Sequence, residues 1–126
     1  MKQEEHHEQV RVFNWARDEL DRDPPRYPEL EMLFAVPNGG WRNKGTAVRL
    51  KLEGVKRGVP DIWFPVMRGG YCGLVIELKT DTGRVKPEQK KWLELLAAQG
   101  WKAVVCRGAA ETINTILWYL SGAREP

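Results

Sequence analysis

The stretch Leu74-Val75-Ile76-Glu77-Leu78-Lys79 is where the reading of this chain turns. In an extended strand successive side chains point to opposite faces. Leu74, Ile76 and Leu78 then share one face, and Val75, Glu77 and Lys79 the other. A carboxylate and an ammonium together at the end of a hydrophobic strand need a chemical reason. The strand reads as Cys72 to Lys79, preceded by a second one, Asp61 to Val66. Arg68-Gly69-Gly70 between them signals a hairpin. A hairpin symmetric about Gly69 sets Asp61 directly opposite Glu77, with Cβ atoms about 4.5–5.5 Å apart on one face. A one-residue slip in register would undo that pairing.

Two carboxylates this close repel unless a cation lies between them. A hard divalent ion with oxygen ligands, Mg²⁺ or Mn²⁺, suits the arrangement. Such an ion can polarise a phosphodiester and lower the pKa of a bound water. Lys79 would orient that water or stabilise charge in the transition state. The alternative is an inert Asp/Glu/Lys cluster exposed at a sheet edge, and spacing alone leaves both readings open.

Working outward, Glu4 to Leu20 has helical spacing: Val10, Phe13, Arg17 and Leu20, widened by Val12, Trp15 and Ala16. Asp23-Pro24-Pro25 stops it, and a loop follows to Pro28. Met32 to Val36 reads as a short buried strand ending in the Pro37-Asn38-Gly39-Gly40 turn. Lys44 to Lys56 can form a helix with Val48, Leu52 and Val55 on one side. After the hairpin and an Asp81-Thr82-Gly83 turn, Pro87 opens a helix that Gly100 closes. Trp101 to Cys106 is a further strand, and Ala109 to Leu120 a last helix. The order is α-β-α-β-β-α-β-α, an α/β fold with helices flanking a mixed central sheet.

The chain's 126 residues, 42% hydrophobic and 29% charged, fit one globular domain over residues 1–126. No apolar run approaches the roughly 20 residues of a membrane span. The N-terminus lacks the apolar core of a signal peptide, so a cytoplasmic location is the expectation. Cys72 and Cys106 sit in apolar runs without zinc-site spacing and read as buried, reduced thiols. The net charge of +3 permits a nucleic-acid partner without demanding one. Its distribution says more. Residues 42–57 carry Arg42, Lys44, Arg49, Lys51, Lys56 and Arg57 against Glu53 alone. Lys79, Arg84, Lys86, Lys90 and Lys91 form a second basic stretch. Around one site they would form a phosphate-binding surface, although solvated helix faces explain the charge equally well.

Pro60-Asp61 followed by Glu77-Leu78-Lys79 matches the PD-(D/E)XK nuclease pattern. Together with Val36-Pro37-Asn38-Gly39-Gly40, Gly58-Val59-Pro60-Asp61-Ile62 and Gln89 through Gly100-Trp101, the chain resembles the virus-type replication-repair nuclease (VRR-Nuc) domain from about Glu5 to Leu120. The resemblance implies a restriction-endonuclease-like core and a Mg²⁺- or Mn²⁺-dependent endonuclease. It further implies structured DNA as substrate, above all branched or Holliday-junction DNA, a homodimer, and a bacterial or phage-encoded repair protein. Asp61 and Glu77 would be metal ligands, joined by the carbonyl of Leu78, and Lys79 the catalytic lysine. Gln89 would approach the same centre. The family's first-helix acid maps to Glu5, through the Glu5-x-x-x-Gln9 spacing, or alternatively to Glu8. A flap- or restriction-type nuclease is a related reading. A non-catalytic DNA-binding protein on this fold is the competing one, and retention of Asp61, Glu77 and Lys79 together speaks against it.

Asn38, Gly39 and Gly40 are expected near the substrate, with Trp41, Arg42, Lys44 and Arg57 as further DNA contacts. Trp41 is the candidate for base stacking. The other tryptophans, Trp15, Trp63 and Trp118 among them, read mostly as core, with Trp92 a candidate for a dimer surface. His6 and His7, adjacent on a helix, point apart and read as surface residues.

Overall fold

The hairpin forms about Gly69 in the expected register. The structure is a computed structural model and describes residues 3–37 and 43–124. Ile62 pairs with Ile76, Trp63 with Val75 and Phe64 with Leu74. The turn does not set that register by itself: Arg68 pairs with Tyr71, one step off the strand pairs, and the extra residue is taken up between Phe64 and Arg68. Gly69 (φ 57°) and Gly70 (φ 87°) both take left-handed backbone, and the Tyr71 N–H donates to the Arg68 carbonyl at 2.8 Å. Two positive φ angles make a type I′ turn, whose twist matches that of the strands it joins.

The elements are α1 (Gln3–Leu20), a 3₁₀ turn (Pro28–Met32), β1 (Phe34–Ala35), α2 (Lys44–Leu52), β2 (Ile62–Phe64), β3 (Leu74–Lys79), α3 (Pro87–Ala98), β4 (Lys102–Arg107) and α4 (Gly108–Leu120). The sheet order is β1-β2-β3-β4. β1, β2 and β3 run antiparallel to their neighbours; β4 runs parallel to β3, with α3 as the crossover. The α/β order and the mixed sheet are as read from the sequence.

Ile62, Phe64, Leu74 and Ile76 project from one face of the sheet. They pack with Val12 and Ala16 of α1 and Ala109, Ile116 and Tyr119 of α4. Glu77 projects from the other face, where Gln89 of α3 meets it. β3 is thus an inner strand, and all six of its residues are buried. An exposed charge cluster at a sheet edge is excluded.

Several local expectations are corrected. The inward stripe of α1 is Glu5, Val12, Ala16 and Glu19; Val10 and Arg17 face solvent. Core positions are set by where α1 meets β3 and α4, which periodicity alone places one step off. The expected buried strand at Met32–Val36 is a two-residue edge strand after a 3₁₀ turn, and Met32 and Phe34 are exposed. α2 ends at Leu52 rather than Lys56 and buries none of its residues, so Val48, Leu52 and Val55 are exposed. The strands at Asp61–Val66 and Cys72–Lys79 are shorter than expected, and Cys72 is exposed, with only Cys106 buried. The described tryptophans are half-buried at the rim of the core. His6 and His7 are exposed.

Tyr119 is 1% exposed, and its hydroxyl donates to the Val66 carbonyl at 2.5 Å. Tyr119→Phe keeps the ring but leaves that buried carbonyl without its donor. We expect a loss of about 1–3 kcal/mol in urea unfolding. A loss within error of zero would show that the carbonyl finds another donor.

Candidate active site

Asp61 immediately precedes β2, and its backbone carbonyl accepts from the Val36 N–H at 2.9 Å, extending the β1–β2 ladder by one rung. Its side chain crosses to the next strand, where Oδ2 accepts from the Leu78 N–H at 2.9 Å. Leu78 lies between Glu77 and Lys79, so this bond ties the first carboxylate to the strand carrying the other two groups. Asp61, Glu77 and Lys79 are all buried, with 5%, 1% and 6% of their surface exposed.

The turn before Asp61 is clamped onto α3. Gly58 has φ +87°, and a Cβ there would lie 2.8 Å from the Glu88 carbonyl, so only glycine permits the approach. The Trp92 indole donates to the Arg57 carbonyl at 3.1 Å, and the Trp63 indole to the Pro60 carbonyl at 2.9 Å. Trp92 therefore has an intramolecular role that spacing did not suggest.

Glu77 Oε2 accepts from Gln89 Nε2 at 3.3 Å and lies 4.0 Å from Lys79 Nζ. Gln89 is itself oriented, because its Oε1 accepts from the Lys86 N–H at 2.8 Å at the start of α3. That leaves its amide nitrogen for Glu77. Glu77 Oε1 is buried with no hydrogen-bond partner among the described residues. Burial, then the hydrogen bond to and charge of Asp61, push the Glu77 carboxyl up to about 10, with Lys79 opposing and Glu5 adding to the rise.

The two first-helix acids separate clearly. Glu5 is 8% exposed, and its Oε1 lies 3.5 Å from the point where a Gly83 Cβ would sit, a point 3.4 Å from Lys79 Cδ. Glu8 Oε2 instead accepts from the Ala109 N–H at 3.3 Å, at the start of α4. An acid accepting from a free amide in a helix's first turn is a stabilising cap. Gln9 lies one turn after Glu5 on the same face of α1, and its Oε1 is also buried without a partner among the described residues. Arg107 donates to the Thr80 carbonyl at 2.8 Å and the Gly83 carbonyl at 2.5 Å, tying the loop after β3 to β4. Neither role was legible in sequence; the basic residue closing an apolar strand was the one available signal.

The donors fit a divalent cation. A buried Glu77 oxygen without a donor among the described residues, beside the Asp61 carboxylate, is relieved by a proton shared with Asp61 or by a cation between them. Among the described residues, no three His, Cys, Asp or Glu side chains are close enough to hold an ion by themselves. Mg²⁺ characteristically uses one or two carboxylates and keeps several waters, so two suffice. Lys44 and Arg57 are exposed, together with Arg49, Lys51 and Lys56. Asn38, Gly39, Gly40, Trp41 and Arg42 lie outside the described residues.

Comparison with known proteins agrees with this geometry. Residues 2–110 match the VRR-NUC domain family. A solved structure titled "VRR_NUC domain protein" superposes with a TM-score of 0.80 at 30% identity, covering 98% of this chain and 93% of that one. No curated protein matches the chain.

A carboxyl held protonated in the fold binds a proton that the unfolded chain releases near 4.5, so metal-free stability falls as pH rises from 4.5 toward about 10. Glu77→Gln, neutral at every pH, should flatten that decline in thermal melts taken with EDTA. An unchanged slope between pH 5 and 9 would exclude Glu77 as its source.

Proposed function

The chain belongs to the VRR-NUC domain family, and from that premise we propose a divalent-metal-dependent endonuclease acting on structured DNA, with branched or Holliday-junction DNA the favoured substrate. Membership makes this a nuclease-type domain. The observation that carries the mechanism is the buried cluster of Asp61, Glu77 and Lys79 with Glu77 Oε1 unsatisfied.

Asp61 and Glu77 would hold Mg²⁺ or Mn²⁺, with the Leu78 carbonyl as a further ligand and Glu5 ligating the ion or accepting hydrogen bonds from its waters. The bound ion supplies Lewis acidity at the scissile phosphate and makes a water more acidic. The chain's own groups do the rest. The Leu78 N–H fixes the Asp61 carboxylate, and Gln89 Nε2 orients Glu77 Oε2. Lys79 Nζ, carried on a buried stem, donates to the phosphate oxygens, where negative charge grows in the transition state. Burial keeps these groups from being screened by water, so one ammonium has a large effect. The exposed Lys44, Arg49, Lys51, Lys56 and Arg57 would offer the DNA backbone positive charge.

No helix among the described residues is long and apolar enough to cross a membrane. A four-way junction is two-fold symmetric, and a homodimer with two such sites would match it. A flap- or restriction-type nuclease is the second reading, favoured if the protein cuts DNA as a monomer.

Lys79→Ala should reduce cleavage about 100- to 1,000-fold while leaving the fold and DNA binding intact. Full activity in that variant removes Lys79 from the mechanism. Fluorescent junction, flap and linear duplex DNA should be cut with Mg²⁺ or Mn²⁺ and left intact with EDTA. Cleavage in EDTA, or none with either metal, would sink the proposal. Light scattering during the same experiment should report a dimer if the junction is the substrate.

A further inference from the structure

The carboxylates occupy one cross-strand row on their face of the sheet, and the neighbouring row on that face is aromatic. Phe34 pairs with Trp63, and Trp63 with Val75. Trp63 lies two residues beyond Asp61 on β2, so the rows are about 7 Å apart. The Phe34 and Trp63 rings stack at 16°, with centroids 6.4 Å apart. Trp101 meets Trp63 edge-on at 5.3 Å and 73°.

This aromatic row is rigid at its inner end and open at its outer end. Trp63 is fixed through its indole bond to the Pro60 carbonyl, one residue before Asp61. Trp101 lies where Gly73 has no side chain; a Cβ there would come within 2.4 Å of the indole ring. Phe34, on the two-residue edge strand, is 46% exposed. This exposed phenyl at a sheet edge, stacked on a ring whose position is locked to the carboxylate turn, presents a preformed aromatic face.

We propose that Phe34, backed by Trp63, is a stacking platform for one unpaired base of the DNA, adjacent to the nucleotide whose phosphate reaches Asp61 and Glu77. A DNA base is the occupant because the platform shares its face with the carboxylates. Lys44, Arg49 and Lys51, exposed on α2, add positive charge that favours a nucleic-acid occupant. Aromatic faces accept any base, so the platform selects for an unstacked base, as at a branch point, and not for sequence. Intact duplex keeps its bases stacked and offers none without extruding it. The inference rests on the nuclease reading above and assigns a preference for branch points that carry an unpaired base, as flaps do, to a named side chain; a fully paired junction, like duplex, offers one only by extrusion.

The test uses full-length protein carrying Lys79→Ala, with Mg²⁺, and DNA bearing 2-aminopurine as the unpaired base at a branch point. Binding should quench 2-aminopurine fluorescence. Phe34→Leu, apolar and at a half-exposed position, should abolish the quench and weaken branched-DNA binding about five- to tenfold, with linear duplex binding unchanged. Phe34→Tyr, which keeps the ring, should retain the quench. Persistence of the quench in Phe34→Leu overturns the platform, as does its loss in Phe34→Tyr or an equal weakening for branched and linear DNA. Cleavage by the wild type, run in parallel, separates the two ideas. No cleavage of any DNA overturns the nuclease reading and the platform with it; cleavage with an unaltered quench overturns the platform alone.

Discussion

The hydrogen bond from the Leu78 N–H to the Asp61 carboxylate holds the site together. A buried carboxylate is tolerated only where charge or donors compensate it. Here one backbone amide satisfies Asp61 while leaving its other oxygen toward Glu77. That bond lies where the β2–β3 register places it, one step from the register on which the Gly69-Gly70 turn closes; burial of Ile62, Phe64, Leu74 and Ile76 on one face holds the strands there. Glu77 is then forced beside Asp61 in the interior, where the Gln89 amide donates to one of its oxygens and no described residue donates to the other. Its unsatisfied oxygen and raised pKa follow from that position.

The rest of the fold is arranged around the carboxyl end of β3. α1 covers one face of the sheet and α3 the other, and each brings its first turn to that end: Glu5 from α1, Gln89 from α3. Helix starts carry partial positive charge and free amides, which suit an anionic phosphate. Gly58 lets the Pro60-Asp61 turn seat on α3, and Arg107 ties the loop after β3 to β4. The parallel pairing of β3 with β4 needs α3 as a crossover, so the connection demanded by topology also delivers the glutamine that orients Glu77.

Much of this was legible beforehand. The element order and the shared face of Glu77 and Lys79 follow from period-2 alternation and turn residues, which are local; the register expected from symmetry about Gly69 is the observed one, although the turn itself closes one residue off it. Errors appeared where burial depends on distant partners. α1 was read with Val10 and Arg17 on its stripe, but its inward face is chosen by β3 and α4. Met32–Val36 was read as buried because it is apolar, yet nothing among the described elements covers β1 on its outer side. Trp63 and Trp101 were expected in the core and instead form a half-buried row beside the site.

By itself the sequence determined that a carboxylate and a lysine would share one face at the end of a hydrophobic strand, because side chains alternate along it; that Asp61 faces them depended on a register that a one-residue slip would undo. Only the tertiary structure decided that this end is interior and not a solvated edge, since that requires α1, α3 and β4 to close around β3. It also separated Glu5, turned toward Lys79, from Glu8, which caps α4. The two lie three residues apart on one helix, and their difference is set by where that helix crosses the sheet, a long-range packing outcome that no local spacing encodes.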